Sequence, residues 1–273
     1  MAKPRVIFMG SPEFAVPSLR ALAHEYSIAA VVTQPDREVG RGRKIDQPAV
    51  KKAALELGLT VIQPGKLSQE GVLDQLAAWK PDVIIVVAFG QILKQAVLEL
   101  PTLGCINVHA SLLPRWRGAA PIHAAILNGD KETGVSIMRM EAGLDSGPVL
   151  AQAKELIKPD DNYMTLSERL AHLGARVLMD TLPRYFLGDI IPVPQDDHLA
   201  TFARRLTKND GEIDFNWEVQ TIERMVRAYY GWPGTYTTHK GEMFKIHAVS
   251  VKLDETATPG KKRIIDRFPA IGA

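Results

Sequence analysis

Cysteine is nearly absent from this 273-residue chain; Cys105 is the only one. An intramolecular disulfide is therefore excluded, which suits a reducing compartment. Cys105 follows Gly104 at a strand start and reads as buried filler rather than as a nucleophile. Charge of one sign is missing too. Lys and Arg number 33 against 31 Asp and Glu, a formal net charge of +2. A case for a nucleic-acid partner must then rest on local clusters. No apolar run approaches membrane-spanning length, and the longest candidate, Val83 to Phe89, suits a buried strand. Val6-Ile7-Phe8-Met9 is too short for a signal peptide. The expectation is a soluble, cytoplasmic chain without membrane contact. There is no His-Glu-x-x-His, no Cys cluster and only seven scattered His, so no metal site is expected. Gly10-Ser11-Pro12 stands where a dinucleotide binder would carry Gly-x-Gly-x-x-Gly, which disfavours a nicotinamide cofactor. Internal repeats and low-complexity segments are lacking.

What is present is an alternation of short apolar strands and amphipathic helices. Val6 to Met9, a helix over Phe14 to Glu25, and Ile28 to Val32 make a βαβ unit opening a mostly parallel α/β sheet. Gln34 to Lys44 reads as an exposed loop with two glycines and four basic residues. Solvated surface and a basic arm reaching phosphates are about equally good accounts of it. Helices are expected at Ala49 to Leu57, Gln69 to Trp79 and from Gln91 to Leu98, with strands at Thr60 to Ile62, Val83 to Ala88 and Cys105 to His109. Pro121 to Leu127 is helical. Gly134 to Met140 alternates as a strand, and Val149 to Ile157 returns from the bend at 141–148. Thr165 to Leu187 is the longest helix, with Pro183 in its last turn. Pro192 and Pro194 mark a linker. The texture then changes: Ile213 to Phe215 looks strand-like, Thr221 to Tyr230 helical, and Tyr236 to Thr238 and Phe244 to Lys252 read as strands of a small β structure. The division read from this is 1–189, a linker over 190–203, and 204–273.

The chemistry gathers at Cys105 to Leu127. Positions 107, 109 and 111 alternate along a strand, which would put Asn107, His109 and Ser111 on one face. A lone strand-end histidine is usually structural, but here it is followed by Pro114, Arg115, Arg117 and a Gly-Ala-Ala-Pro helix start. In open α/β sheets ligands bind beyond the carboxyl ends of the strands, so Phe89-Gly90-Gln91 would face the same crevice. Asp145 lies between glycines, where an aspartate is commonly a turn residue. Its bend nevertheless follows a strand expected beside that of His109, within reach of the imidazole. No strained elbow makes Ser111 a nucleophile. The chemistry that fits is acyl transfer to a substrate nucleophile, with Asn107 and a protonated His109 stabilising an oxyanion and Asp145 holding the imidazole.

The run Asn107-Val108-His109 with Ser111-Leu112-Leu113-Pro114 and Arg115-Trp116-Arg117-Gly118-Ala119-Ala120-Pro121 strongly resembles the folate-dependent formyltransferases. Gly134-Val135-Ser136-Ile137-Met138 and Gly143-Leu144-Asp145-Ser146-Gly147 look like their second signature. Phe8-Met9-Gly10-Ser11-Pro12-Glu13-Phe14-Ala15 and the basic loop narrow the likeness to members acting on tRNA. The resemblance runs to about Pro259. It implies a Rossmann-like catalytic domain with helices on both faces of its sheet, then a small OB-like β-barrel domain assisting tRNA binding. It implies Asn107, His109 and Asp145 as the catalytic trio. It implies folate contacts from Ser111, Leu112, Leu113, Pro114 and the backbone around Phe89, Gly90 and Gln91. tRNA contacts fall on Arg37, Arg41, Arg43 and Lys44, and the basic run adds Arg204, Arg205 and Lys208. The implied donor is 10-formyltetrahydrofolate and the implied acceptor initiator methionyl-tRNA, on a monomer without metal. Ser136 and Ser146 stand where relatives often carry Thr, keeping the hydroxyl. Lys261 to Ala273 departs from the family, and the expectation is a barrel short of strands. The trio alone also fits an acceptor that is a sugar-nucleotide amine or purine precursor, or a noncatalytic folate- or tRNA-binding relative.

Overall fold

The computed structural model describes residues 3–39, 44–252, 258–265 and 268–272. In chain order the strands are β1 (Arg5–Gly10), β2 (Ser27–Val32), β3 (Arg37–Val39), β4 (Lys44–Asp46), β5 (Val61–Ile62), β6 (Val83–Val87), β7 (Cys105–His109), β8 (Arg117–Gly118), β9 (Glu132–Arg139), β10 (Val149–Leu156), β11 (Phe202–Ala203), β12 (Thr235–His239), β13 (Glu242–Ile246), β14 (Lys262–Ile265) and β15 (Phe268–Ile271). The helices are α1 (Val16–Glu25), α2 (Ala49–Glu56), α3 (Val72–Ala78), α4 (Gln95–Leu98), α5 (Pro121–Leu127), α6 (Tyr163–Phe186) and α7 (Val219–Ala228). Seven strands form one sheet in the order β10-β9-β7-β6-β1-β2-β5. The pairs from β5 to β7 are parallel, while β9 and β10 are antiparallel. The order turns back between β1 and β6, which opens a crevice beyond their carboxyl ends.

The two faces of the sheet are covered unequally, and that inequality positions the site. Val6, Phe8, Val83, Ile85, Val87, Ile106, Val108, Val135 and Ile137 point to one face. They pack there under α1, α2, α5 and the Leu166, Leu170, Leu173, Leu178 and Leu182 stripe of α6. Its spacings of four, three, five and four residues keep it on one side of the helix, as a helix lying on a core requires. The opposite face carries Ile7, Met9, Val32, Ile84, Val86 and Cys105, covered by Val72 and Leu76 of α3 and Val97 of α4. α4 meets the start of β7, where Cys105 Sγ lies 3.6 Å from the Val97 carbonyl oxygen. Further along the same face Asn107 sits opposite Met138 and His109 opposite Ser136, and there the loops after β7 and β9 meet, Gly118 N donating to Asp145 Oδ2.

Several expectations change in detail. Gln34 to Lys44 is not wholly a loop: β3 and β4 pair as a hairpin. Asp36 at its base is tied to Lys51 at 2.6 Å and to Gln63 at 2.7 Å. Residues 40–43 lie outside the described set. The helix expected from Gln91 shrinks to α4, because Gly90 at φ +80 and Gln91 turn the chain away first. β7 stops at His109, so Ser111 is not a third strand position. α6 runs through Pro183 to Phe186. Ile213 to Phe215 makes no strand; an isolated bridge joins Glu212 to Tyr236. β13 ends at Ile246 rather than continuing to Lys252. The prolines of the 188–203 segment do not leave it free, since Val193 bridges Val149 and β11 pairs in parallel with β8.

Candidate active site

Asn107 and His109 are two residues apart on β7 and share one of its faces, as strand alternation requires. Both are nearly buried, at 8% and 6% exposure. The His109 ring is held from two sides. Its Nε2 lies 2.9 Å from the Trp116 carbonyl oxygen, and since a carbonyl only accepts, the proton of that bond sits on Nε2. Its Nδ1 lies 3.7 Å from Asp145 Oδ2. Asn107 differs: among the described residues its side-chain amide has no hydrogen-bond partner. Buried polar groups are normally paired, so an amide without a partner among the described residues is available to an incoming group.

Asp145 reaches His109 because the bend after β9 doubles back toward the end of β7. Met140 N donates to Cys105 O at 2.7 Å and Arg139 N to Pro148 O at 2.9 Å, closing the base of the bend. Gly147 sits so near Arg139 that an added Cβ would meet the Arg139 carbonyl oxygen at 2.0 Å. Asp145 itself holds φ +50, a left-handed conformation uncommon outside glycine. Its Oδ2 accepts from Gly118 N at 2.8 Å, tying it to the loop after β7. That loop is heavily cross-braced. Arg115 forks onto Asp130 at 2.9 and 2.6 Å, Trp116 Nε1 donates to the same carboxylate at 2.8 Å, and the Arg115 guanidinium lies 4.3 Å from the Trp116 ring centroid.

The residues expected to line a folate pocket divide into two kinds. Phe89 is buried, and its carbonyl oxygen accepts from Gln34 Nε2 at 3.1 Å. Gly90 is exposed at the crevice rim. The Gln91 side chain is turned away, accepting from Leu67 N at 2.8 Å and donating to Pro64 O at 3.2 Å. Ser111 is fully buried and its hydroxyl donates to Arg115 O at 2.5 Å, so that hydroxyl faces inward. Leu112, Leu113 and Pro114 follow in a turn, with a cis peptide at Leu113-Pro114. Ser136 and Gln152 hold Leu113: its N donates to Ser136 Oγ at 3.0 Å, and Gln152 Nε2 donates to its carbonyl oxygen at 2.9 Å.

The basic residues are dispersed. Arg37 is exposed on β3 and touches Gln34. Lys44 begins β4, and Arg41 and Arg43 lie outside the described residues. Arg204 is committed to Asp210 through a two-pronged contact, while Arg205 and Lys208 stand exposed. Cys105 is sealed in the core, and burial pushes its thiol up to about 12, which removes it as a nucleophile. Three contributors escaped the sequence reading: the Trp116 carbonyl, the Gly118 N–H and the Gln195 side chain, which donates to the Asp145 carbonyl at 2.8 Å. The first two are backbone groups with no residue-type signal. Gln195 is dozens of residues away, in what reads as a proline-marked linker.

Comparison with known proteins bears on this geometry. The formyl transferase family model matches residues 4–182, and the formyl transferase C-terminal domain model matches 205–269, beyond the Pro259 limit read from sequence. The chain is 47% identical over 252 residues to the methionyl-tRNA formyltransferase of Myxococcus xanthus, covering 92% of this chain and 81% of that one. It is 49% identical over 258 residues to the methionyl-tRNA formyltransferase of Chloroflexus aggregans, covering 94% and 84%. Among solved structures, the N-formyltransferase from Helicobacter canadensis, in complex with folinic acid and dTDP-3-aminofucose, superposes with a TM-score of 0.71 at 18% identity, covering 100% of this chain and 96% of that one. That likeness speaks to the fold. Two family regions matched in chain order, with sequence identity sustained across their junction, settle the placement: the chain belongs to the formyl transferase family.

Proposed function

We propose that the chain transfers the formyl group of 10-formyltetrahydrofolate to the α-amino group of methionine esterified to initiator tRNA. The observation that carries the chemistry is the Asn107 amide, unpartnered among the described residues, two positions along β7 from the His109–Asp145 pair. Attack of the amine on the formyl carbon puts negative charge on the formyl oxygen, and Asn107 would donate to it as that charge develops, with His109 beside it. As the new C–N bond forms and the bond from the formyl carbon to the folate nitrogen breaks, the amine loses a proton and the folate nitrogen gains one. The proton passes from the amine to the folate nitrogen, and His109, with Nε2 on the Trp116 carbonyl and Nδ1 toward Asp145, would stand beside that path as an oriented polar group rather than as its carrier. Free α-amino groups titrate at about 7.7–8.0, and an ester neighbour lowers that further, so a neutral amine arrives without a strong base.

The acceptor is argued separately. Relatives near half identity are named methionyl-tRNA formyltransferases, whereas the amino-sugar enzyme shares only the fold. We infer from the family resemblance that 1–189 is the catalytic unit, joined by 190–203 to a unit at 204–273 that assists tRNA. Arg37, Arg41, Arg43, Lys44, Arg205 and Lys208 are its candidate phosphate contacts. Arg204, already paired, is the weakest of the set. The deciding experiment transfers labelled formyl from 10-formyltetrahydrofolate to methionyl-tRNA, to a dTDP-amino sugar and to a purine-precursor amine. Label on methionyl-tRNA alone is the expected outcome; label on either small amine instead overturns the acceptor assignment.

A further inference from the structure

The segment between the two matched family regions, 183–204, belongs to neither, yet it supplies a side chain to the site. Gln195 uses both kinds of atom its amide has. Nε2 donates to the Asp145 carbonyl at 2.8 Å and to the Gly147 carbonyl at 2.6 Å, bracketing Ser146. Oε1 accepts from Arg117 Nε at 3.0 Å. These are the two loops that meet at His109. Arg117 stands between Trp116, whose carbonyl takes the His109 Nε2 proton, and Gly118, whose N–H holds the Asp145 carboxylate.

We propose that Gln195 is a positioning residue for the transfer reaction, fixing Asp145 against His109 by joining their two loops from the interdomain strap. The backbone argument is direct. Asp145 sits at φ +50, a conformation that persists for a non-glycine residue only where its surroundings hold it. Gly147, two residues on, is pinned against β9. The Asp145–Gly147 bend therefore has one fixed end and one strained end, and the Gln195 amide is the group that spans them. Its own place is fixed on both sides. Val193 exchanges two hydrogen bonds of 2.8 Å with Val149. Thr201 Oγ1 accepts from Trp116 N at 2.9 Å, and Arg117 N donates to Thr201 O at 2.9 Å. The Arg117 guanidinium, buried at 4% exposure, is further held 2.7 Å from the Asp197 carboxylate of the same strap. A donor set anchored this tightly keeps a carboxylate within a fraction of an ångström of its partner. Misplacement by about 1 Å costs about 100-fold in rate.

The proposal rests on the formyl-transfer reading, and its test is arranged to separate the two. Gln195→Met removes all three bonds at similar volume. Gln195→Glu keeps the acceptor toward Arg117 but turns oxygen toward the Asp145 and Gly147 carbonyls. Both should lower kcat about 100-fold and leave KM for 10-formyltetrahydrofolate unchanged. In an Asp145→Asn background, Gln195→Met should add almost nothing, because the carboxylate it positions is gone. A strut that merely stabilised the fold would lower the melting temperature and leave kcat alone in either background. A folded Gln195→Glu with wild-type kcat, or effects that multiply, overturns the proposal. The substrate-free readout is the His109 ring 15N resonances, which should move in Gln195→Met in the direction that Asp145→Asn moves them. Should the wild-type chain form no formylated product, the formyl-transfer reading falls; unmoved His109 resonances sink the positioning role whether or not transfer occurs.

Discussion

The residues around the strand end are of two sorts, those spent on the protein and the one that is not. His109, Asp145, Ser111, Ser136, Gln152 and Arg115 are each bound to another part of the chain, while the Asn107 side chain has no partner among the described residues. Removing a group that makes no internal bond should leave folding intact and remove only what it does for the substrate. Asn107→Ala is thus expected to keep the wild-type melting temperature and to lose on the order of 100–1000-fold in kcat. Single-turnover formyl transfer, alongside thermal unfolding, checks both halves, and a destabilised but active variant would return Asn107 to a structural role. His109→Ala and Asp145→Asn should each cripple turnover, with the double variant little worse than either single one. Multiplying losses would mean that the two act independently. At this scale the sequence was informative where geometry is local. Asn107 and His109 share a face because strands alternate, and one strand suffices to say so. Ser111 broke the pattern because the strand had ended. Gln195 was illegible because nothing in a proline-marked stretch reveals which loop it will lie against.

Elements were legible in proportion to their own periodicity. β6 is a continuous buried Val/Ile run and α6 a long amphipathic helix, and both emerged within a few residues of their expected ends. β8 and β11 are two-residue strands whose pairing joins positions more than eighty apart. Such a ribbon has no pattern of its own, so the strap across the site could not be foreseen. Its integrity hangs on Gly118. The residue holds φ +115, and an added Cβ would lie 2.6 Å from the Ala203 carbonyl oxygen, a backbone atom that cannot swing aside. Gly118→Ala should prise β11 from β8, weaken the bond from Gly118 N to Asp145, and lower both stability and kcat. Hydrogen exchange at the Ala119 amide, which donates to Ala203 O at 2.8 Å, checks it; unchanged protection would mean that the backbone accommodates the methyl. The start of α6 is a separate case. Asn162 accepts from Met164 N and Thr165 N in a capping box, so Asn162→Ala should cost about 1 kcal/mol. That loss is readable by urea denaturation and should come with unchanged kcat.

The molecule as a whole closes around a junction of α5, α6 and α7. Ile122 and Ile126 of α5 share a core with Leu166 of α6 and with Ile222, Met225 and Val226 of α7. The chain beyond the strap is thus seated directly on the chain before it. At this junction His123 stacks on Tyr163 with centroids 4.1 Å apart and rings 20° from parallel, and Tyr229 lies 6.4 Å away. Among the described residues His123 Nδ1 is buried without a partner. Burial pushes the imidazole down to about 4, against a weaker upward pull from a hydrogen bond with the Trp232 backbone. The sign of the consequence follows from linkage. An unfolded histidine titrates near 6.5, so as pH falls below that value the unfolded chain gains a proton that the folded chain refuses. Stability from His123 is fully present above about 6.5 and drains away down to about 4, where the folded state protonates as well. The whole effect is on the order of 3 kcal/mol. His123→Phe keeps an aromatic ring on Tyr163 and removes the titrating group together with the unpaired nitrogen. The wild-type protein should therefore lose stability between pH 6.5 and 4 more steeply than His123→Phe, with the two curves parallel below pH 4. Carboxylates are common to both proteins and cancel in the difference. Asp161 is an example: its carboxyl is raised by burial but pulled down to about 2 by Arg169, the Lys158 N–H and Thr165. Denaturant midpoints measured at half-unit pH steps make the comparison, and a difference that stays flat through that window would remove His123 as the source of acid sensitivity at the junction.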